Sequence, residues 1–361
     1  MVGKASKRRS RAVIHWDGAP KQRIGAAELR AVLEEAVSRR SGTQRRVAGL
    51  ARWPSIYSTS FAIEELDVHL SDGTSLRLLL KDLSKGAMLE SARRVKPAFL
   101  YDPMREIETY RTILESQGLG TAACYGAIVD HRAGRYGLLL EKVQGVELRR
   151  VGDLATWQKV ARWLGVMHGR FMGETERLAG GARLLRYDAD FYRRWIRRAR
   201  TAQGRRAESS PPGPVSNGME RLARRYDQVV ERLAALPATF IHGEFYASNV
   251  LVHETEGKPR VCPVDWEMAA VGPGPIDLAA LAAGGWNADE KKALALAYYA
   301  ALAPGDGWAP SLEELLTVLD YCRLHLAVQW LGWASGWSPP PKHTQDWLGE
   351  ALALAKKLQL M

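Results

Sequence analysis

The sequence has few of the features that organise secreted or membrane-spanning proteins. Its 361 residues contain only three cysteines, Cys124, Cys262 and Cys322, which are far apart and in no CxxC spacing. A disulfide framework and a cysteine zinc site are therefore excluded, and a reducing cytoplasm is the expected location. No run of about 18 apolar residues is present, so neither a membrane span nor a membrane partner is expected. The basic N-terminal segment has no apolar stretch behind it and does not resemble a secretory signal.

Acidic residues are outnumbered, and the formal net charge is +11. The excess lies mainly in an N-terminal arm and in one arginine-rich stretch near residues 193–206. Nucleic acid is one class of partner for such a charge, but no nucleic-acid-binding motif accompanies it. A flexible arm and a solvated helix face are therefore the expected roles, and nucleic acid is not an expected partner.

The length exceeds that of one ordinary domain, and the pattern divides the chain into three parts. Residues 1–25 form a basic arm that we expect to be disordered. Residues 26–143 are strand-rich and form an N-lobe, whereas residues 144–361 are mainly helical and form a larger C-lobe. The fold class predicted by this order is α+β with two lobes.

Periodicity and turn signals place the elements within the lobes. In the N-lobe they predict a helix over 26–50, a hairpin around Asp72-Gly73, a helix over 104–116, and strands over 124–131 and 136–143. In the C-lobe they predict a helix over 154–171, a proline-rich loop over 204–218, a helix over 219–235, a short β-rich island over 240–265, and helices from 277 onward.

The β-rich island contains the residues with the clearest chemistry. Its two strands form a hairpin, so the open ends of the hairpin lie side by side and bring Glu244, Asn249 and Asp265 together. Two carboxylates and a carboxamide oxygen suit Mg²⁺, which usually takes one or two carboxylates together with substrate phosphates and water. Phosphoryl transfer needs such an ion, and it also needs a carboxylate beside the incoming hydroxyl group.

The stretch HGEFYASNVL, followed by VDWE, resembles the catalytic core of the aminoglycoside phosphotransferase and choline kinase family. The resemblance implies a protein-kinase-like fold and a small-molecule kinase that uses Mg²⁺ and ATP, with GTP not excluded. It implies that Asn249 and Asp265 bind the metal, that Glu244 stands in the place of the catalytic base, and that His242 supports the loop. Asp277 would tie the loop to the next helix. The family's base is commonly Asp, so Glu244 is a departure from the pattern.

The N-lobe supplies candidates for nucleotide binding. Lys81 ends the apolar strand LRLLLK, and the resemblance makes Glu106 on the following helix its ion-pair partner. No GxGxxG loop is present; Ser58, Thr59 and Ser60 occupy the corresponding position before the first hairpin and could donate to phosphate. A plain turn is the alternative there.

The segment LLLEKVQGVEL resembles the hinge between kinase lobes, with Glu141 and Val143 offering backbone groups to adenine. The acceptor would be held by the C-lobe, where tryptophans recur at three-four spacing. Trp330, Trp333 and Trp337 could line its pocket or belong to the core, with Trp308 and Trp347 near them in sequence. Glu267 could face the substrate or cap the helix that follows.

The predicted function is thus transfer of the terminal phosphate of a nucleotide to a hydroxyl group of a small molecule. The main alternative is a catalytically impaired, nucleotide-binding pseudokinase, because Glu244 replaces the usual Asp. A protein kinase is disfavoured, because GPGPIDLAAL follows Asp265 almost at once and leaves no room for an activation segment. The sequence does not reveal the acceptor, the oligomeric state or the pathway.

Overall fold

The computed structural model describes residues 24–181, 183–208, 214–255, 258–302, 310–333 and 345–361. The strands are β1 Val47–Pro54, β2 Ala62–Leu70, β3 Ser75–Asp82, β4 Cys124–Asp130, β5 Arg135–Glu141, β6 Val146–Glu147, β7 Leu185–Arg186, β8 Ala238–Ile241, β9 Val250–Thr255, β10 Lys258–Pro263 and β11 Ala270–Pro273. The helices are α1 Ala26–Ser41, α2 Glu90–Val95, α3 Pro103–Glu108, α4 Leu154–Phe171, α5 Thr175–Gly181, α6 Ala189–Glu208, α7 Pro214–Ala234, α8 Pro275–Leu281, α9 Ala288–Tyr299, α10 Leu312–Trp333 and α11 Trp347–Lys357.

The N-lobe is an antiparallel sheet with strand order β1-β2-β3-β5-β4. Alternate residues of a strand face opposite sides of a sheet. On β3, Leu78 and Leu80 therefore face a core cluster beneath α1, and Lys81 is on the opposite side, toward the cleft. The predicted hairpin at Asp72-Gly73 is confirmed as the connection between β2 and β3.

The first helix covers the outer face of this sheet. Leu29, Leu33 and Val37 of α1 are buried in one cluster with strand residues such as Leu66. The prediction of a helix over 26–50 is wrong at its C-terminal end. The helix stops at Ser41 because Gly42 adopts a left-handed conformation with φ 67°, and the chain then enters β1. The predicted arm lies outside the described residues up to position 23, and Ile24 is already buried against the sheet.

The C-lobe is built mainly from α4 and α6 to α11, and its apolar core continues beneath the inner face of the N-lobe sheet. Two small sheets, of order β10-β9-β6 and β7-β11-β8, lie where the C-lobe meets the cleft. The α+β prediction, with a small β-rich N-lobe and a larger helical C-lobe, is thereby confirmed. No helix among the described residues is long and apolar enough to cross a lipid bilayer.

The predicted loop over 204–218 is wrong at both of its ends. Helix α6 continues to Glu208 and α7 already begins at Pro214, so at most five residues separate them. Proline is compatible with the first turn of a helix, because the N–H that it lacks has no partner there in any case. The proline-rich composition therefore indicated the first turn of α7 as well as the connection between α6 and α7.

We predict that Leu33→Ala destabilises the N-lobe, because it removes a fully buried side chain between α1 and the sheet. The expected loss is about 2–5 kcal/mol, measured by urea unfolding. Glu35→Ala on the exposed side of the same helix is the control and should change the midpoint little. Equal midpoints for the two variants would contradict the packing of α1 on the sheet.

Candidate active site

The cleft between the lobes contains a buried cluster of opposite charges. The Lys81 ammonium lies 2.6 Å from Glu106 Oε2 and 2.5 Å from Asp265 Oδ1. Lys81 is 7% exposed and Glu106 is 1% exposed. One lysine therefore joins the N-lobe sheet, the helix α3 and the C-lobe.

The three members of this cluster shift one another's pKa. Burial lowers the pKa of Lys81, but the charges of Asp265 and Glu106 outweigh burial and raise it above its usual range. Burial raises the pKa of Asp265, and the nearby Lys81 outweighs it, so the net shift is downward. The cluster therefore favours a charged lysine beside a charged Asp265.

The capped N-terminus of helix α3 fixes the position of Glu106. The side chain of Asp102 accepts a hydrogen bond from the N–H of Met104, and Pro103 occupies the first turn, so the helix begins at a fixed residue. Glu106 then reaches Lys81 with one carboxylate oxygen, while its Oε1 accepts from the N–H of Trp266 at 3.2 Å. The carboxylate thus also fixes the backbone next to Asp265.

The loop after β8 is held by a buried carboxylate. Asp277 on α8 accepts from the N–H groups of His242 at 2.6 Å and of Gly243 at 2.9 Å. Gly243 has φ 82°, and a Cβ at this position would overlap the carbonyl oxygen of Met268. The His242 ring lies 2.9 Å from the carbonyl oxygen of Val264, and burial lowers the pKa of this histidine. His242 therefore connects the loop to the residue before Asp265.

Two oxygen donors lie on this loop and at the end of β10. The Asn249 amide donates to the carbonyl oxygen of Glu244 at 3.1 Å, and its side-chain oxygen accepts a long hydrogen bond from the Ser248 hydroxyl at 3.5 Å. An amide oxygen has two lone pairs, so it can also bind a metal. Asp265 supplies the second oxygen donor, its carboxylate, and its backbone is in the left-handed region with φ 67°. No group of three or more His, Cys, Asp or Glu in the described part of the chain is arranged to hold a metal. The pair nevertheless fits Mg²⁺, which needs few protein ligands when phosphates and water complete the shell.

Glu244 lies among other carboxylates. Burial raises its pKa, and the charges of Glu267 and Asp265 add to this effect, so that the pKa is about 8. Lys96 and Lys81 oppose the shift. At neutral pH the protonated form therefore predominates, and the ionised form becomes available just above neutrality.

Glu267 has a partner that the sequence did not suggest. Lys96, which directly follows α2, places its ammonium 2.5 Å from Glu267 Oε2. Arg105 is buried on α3 and donates to the carbonyl oxygens of Leu100 at 2.8 Å and of Glu267 at 2.9 Å. Lys96 belongs to no motif, so no sequence signal marks it. The predicted contact of Glu267 with substrate stays a prediction.

The segment Ser58–Ser60 lies in the turn between β1 and β2. The Ser58 hydroxyl accepts from the N–H of Ile63 at 3.0 Å and donates to the carbonyl oxygen of Ser55 at 3.1 Å, so it shapes the turn itself. Thr59 is exposed, and the carbonyl oxygen of Ser60 accepts from the N–H of Leu89. Of the three side chains, Thr59 is the one that projects into solvent. The phosphate contact of this turn stays a prediction.

The hinge is fastened to the catalytic hairpin. Arg260 on β10 binds the Glu141 carboxylate through two nitrogens, at 2.6 and 2.8 Å, and lowers its pKa. The N–H of Glu141 donates to the carbonyl oxygen of Ala123, and the N–H of Val143 donates to the carbonyl oxygen of Glu141. The Glu141 side chain is thus structural here, and both N–H groups and the Glu141 carbonyl oxygen already have backbone partners. The predicted contact of these two residues with adenine stays a prediction.

The sequence matches the model of a phosphotransferase enzyme family over residues 68–313, which is more than half of the chain. The chain belongs to this family. A search of curated proteins gives no significant match.

Solved structures of phosphotransferases have the same fold at low sequence identity. An ethanolamine kinase from Plasmodium vivax has a TM-score of 0.53 at 11% identity, over 86% of this chain and 82% of that one. A choline kinase from Streptococcus pneumoniae has a TM-score of 0.52 at 14% identity, over 92% and 99%. The GDP complex of wild-type aminoglycoside 2′-phosphotransferase-IIIa has a TM-score of 0.53 at 11% identity, over 91% and 98%.

In this phosphotransferase the two candidate tryptophans have different surroundings. Trp330 donates to the Tyr246 hydroxyl at 2.8 Å and stacks on Trp347, with ring centroids 5.3 Å apart and planes 7° apart. Both rings line a pocket of the C-lobe. Trp333 instead packs beside Trp195 at the core, and its predicted contact with the acceptor stays a prediction. Trp308 and Trp337 lie outside the described residues.

We predict that Asp277→Asn destabilises this phosphotransferase by about 1–3 kcal/mol in urea unfolding. The carboxylate now accepts from two backbone N–H groups. The NH₂ group of the asparagine would face one of them, so that N–H would lose its acceptor. Asp289→Asn, at an exposed position of α9, is the matched control and should leave the midpoint nearly unchanged. A midpoint for Asp277→Asn equal to that of the control would show that the loop does not depend on this carboxylate.

Proposed function

We propose that this chain is an ATP- and Mg²⁺-dependent phosphotransferase that transfers the terminal phosphate to a hydroxyl group of a small molecule. One observation carries the proposal: Lys81, Glu106, Asp265, Asn249 and Glu244 come from both lobes and meet in one cleft. Membership of the phosphotransferase family supports the reaction class, and a GDP complex among the similar structures supports use of a nucleotide. GTP remains an alternative donor to ATP.

The N-lobe residues would bind the nucleotide. Lys81 would hold the α- and β-phosphates while Glu106 keeps its ammonium in place, which is the arrangement that kinases use. Ser58, Thr59 and Ser60 would lie over the phosphates, and the backbone at Glu141 and Val143 would contact the base. Asn249 and Asp265 would hold Mg²⁺, which when bound offsets the negative charge of the transferred phosphoryl group.

Glu244 would orient the acceptor and take its proton. The hydroxyl oxygen bonds to the terminal phosphorus, the bond from that phosphorus to the bridging oxygen breaks, and the nucleoside diphosphate leaves with the electron pair. The hydroxyl proton passes to the Glu244 carboxylate, which must be ionised to receive it. His242 and Asp277 act through the backbone that positions this residue.

A catalytically impaired, nucleotide-binding protein is the second candidate, and Glu244 is the observation that favours it. Glutamate is longer than the usual aspartate by one methylene, and with a pKa of about 8 its carboxyl is only about one-tenth ionised at pH 7. The raised pKa has an identifiable cause in burial and in the two neighbouring carboxylates, and binding a cation at Asp265 would lower it. The active enzyme is therefore our conclusion.

We predict that ATP with Mg²⁺ raises the melting temperature of the wild type by several degrees and that Asp265→Ala abolishes the shift. Ligand at about 100 times its dissociation constant contributes roughly 2.7 kcal/mol. The measurement is a thermal shift with and without Mg²⁺. A shift that is equal in Asp265→Ala, or no shift in the wild type, would refute the nucleotide site.

We predict that Glu244→Gln lowers kcat by about 10²–10⁴-fold, because it removes the proton acceptor. Since the pKa of Glu244 in the free protein is raised to about 8, its ionised fraction grows with pH, and kcat/KM of the wild type should climb between about pH 7 and about pH 9. The rise of kcat should be centred at a lower pH, because bound Mg²⁺ lowers the pKa of Glu244. The measurement is the rate of phosphate transfer across this pH range, with the acceptor that gives the highest rate.

The thermal shift with ATP should persist in Glu244→Gln, and Glu90→Gln at an exposed position should behave as the wild type. Nucleotide binding without transfer to any acceptor, in the wild type as well, would favour the impaired protein instead.

A further inference from the structure

A second concave site lies in the C-lobe, between the end of α8 and helices α9, α10 and α11. It encloses about 560 Å³ of space, counting the part that is open to solvent. Its walls include Tyr246, Lys291, Arg323, Trp330, Trp347 and Glu350. Of these residues, the sequence predicted only Trp330 at an acceptor pocket and named Trp347 as near it in sequence, because α9, α10 and α11 meet here only in three dimensions.

One wall of this pocket is flat and aromatic. Trp330 and Trp347 stack with nearly parallel planes, and the Trp330 N–H is fixed by its bond to Tyr246. Such a surface suits the face of a sugar or an aromatic ring. Aromatic faces also attract cations, so the charges of the other wall must decide which ligand fits.

The two carboxylates near this pocket, Asp320 and Glu350, already have positively charged partners within the protein. Arg323 bonds Asp320 and Glu350, each at 3.1 Å. The other oxygen of Asp320 is 2.5 Å from the Lys357 ammonium, and the other oxygen of Glu350 accepts from Gln345. Every carboxylate oxygen of this group therefore has a partner, and the charges of Asp320 and Glu350 are offset by Arg323 and Lys357, so the group offers no excess negative charge to a cationic ligand.

Lys291 is the unmatched charge. It lines the pocket and is half-buried, and within the described residues its ammonium has no hydrogen bond or ion pair. Burial lowers its pKa, and the positive charges of Arg323 and Lys357 do so further, while Glu350 and Asp320 oppose them. A bound anion would counter both the burial of Lys291 and the repulsion from its cationic neighbours, because it would pair with the Lys291 ammonium. Arg323 also keeps N–H donors beyond the two that it uses.

We propose that this pocket binds the phosphate acceptor and that the acceptor carries an anionic group, a carboxylate or a phosphate, which pairs with Lys291 while its ring lies against Trp330 and Trp347. The assignment rests on the proposed function, because it takes the ligand of the pocket to be the molecule that is phosphorylated. It separates this chain from choline, ethanolamine and aminoglycosides, all of which present cations.

Tyr246 connects the pocket to the catalytic loop. It follows Glu244 by two residues, forms part of the pocket wall, and has its pKa raised by burial and by the charges of Glu244 and Glu350. Tyr246 is therefore the residue through which the pocket adjoins the loop that carries Glu244.

The test is a thermal-shift panel on the full chain without nucleotide, using pairs of probes that differ in charge. Phenyl β-D-glucuronide is compared with phenyl β-D-glucoside for the carboxylate, and pyridoxine 5′-phosphate with pyridoxine for the phosphate. Choline and kanamycin represent cationic acceptors. We expect an anionic member to stabilise the wild type more than its neutral partner does.

The matched variants are Lys291→Gln in the pocket and Lys292→Gln at the exposed neighbouring position. The dissociation constant of the anionic probe should rise about tenfold or more in Lys291→Gln and stay unchanged in Lys292→Gln, since one charge-assisted bond is lost. Equal or stronger binding of a neutral or cationic probe, no binding of either anion, or retention of binding in Lys291→Gln would overturn the proposal.

ATP with Mg²⁺ is measured in the same series, so the two proposals can fail separately. If the anionic probes bind through Lys291 but the nucleotide does not, the proposed function fails and the role of acceptor with it, although the anion site stands. If the nucleotide binds and the anions do not, the kinase stands and its acceptor is not anionic.

Discussion

The ion cluster of Lys81, Glu106 and Asp265 is the contact on which the cleft depends. A lysine in a nearly dry environment is costly unless it is paired, and two carboxylates from different parts of the chain supply the pairing. The N-lobe sheet, α3 and the C-lobe must therefore adopt one mutual arrangement for the charges to be satisfied. This electrostatic requirement acts together with the apolar core, which continues from the C-lobe beneath the N-lobe sheet.

The cleft contains more carboxylate side chains than lysines that pair with them. Glu244 and Glu267 lie close to Asp265, and in the described part of the chain a lysine binds directly to Asp265 and to Glu267 but not to Glu244. Burial and these neighbouring charges together raise the pKa of Glu244. A divalent cation at the proposed site of Asn249 and Asp265 would relieve the repulsion among these carboxylates.

The sequence predicted what was local or belonged to a motif. The hairpin that unites Glu244, Asn249 and Asp265, and the position of Glu106 on a helix, follow from turn signals and periodicity. Strand β1 was missed because helical spacing seemed to continue past Gly42, and the left-handed residue there was not recognised as a stop. Lys96 and Lys291 could not be predicted, since their partners and neighbours are distant in sequence and reached only through the packing of helices.

The bond between Arg260 and Glu141 links the two lobes at one edge of the cleft. Arg260 belongs to the catalytic hairpin and also donates to the carbonyl oxygens of Gly120 and Thr121 behind the hinge, while β6 pairs with β9 close by. These contacts tie the hairpin of β9 and β10 to the N-lobe, so the lobes cannot separate at this edge of the cleft without breaking the ion pair. The bond between Lys96 and Glu267 is a second link between the lobes, and it would have to break for the cleft to widen at that point.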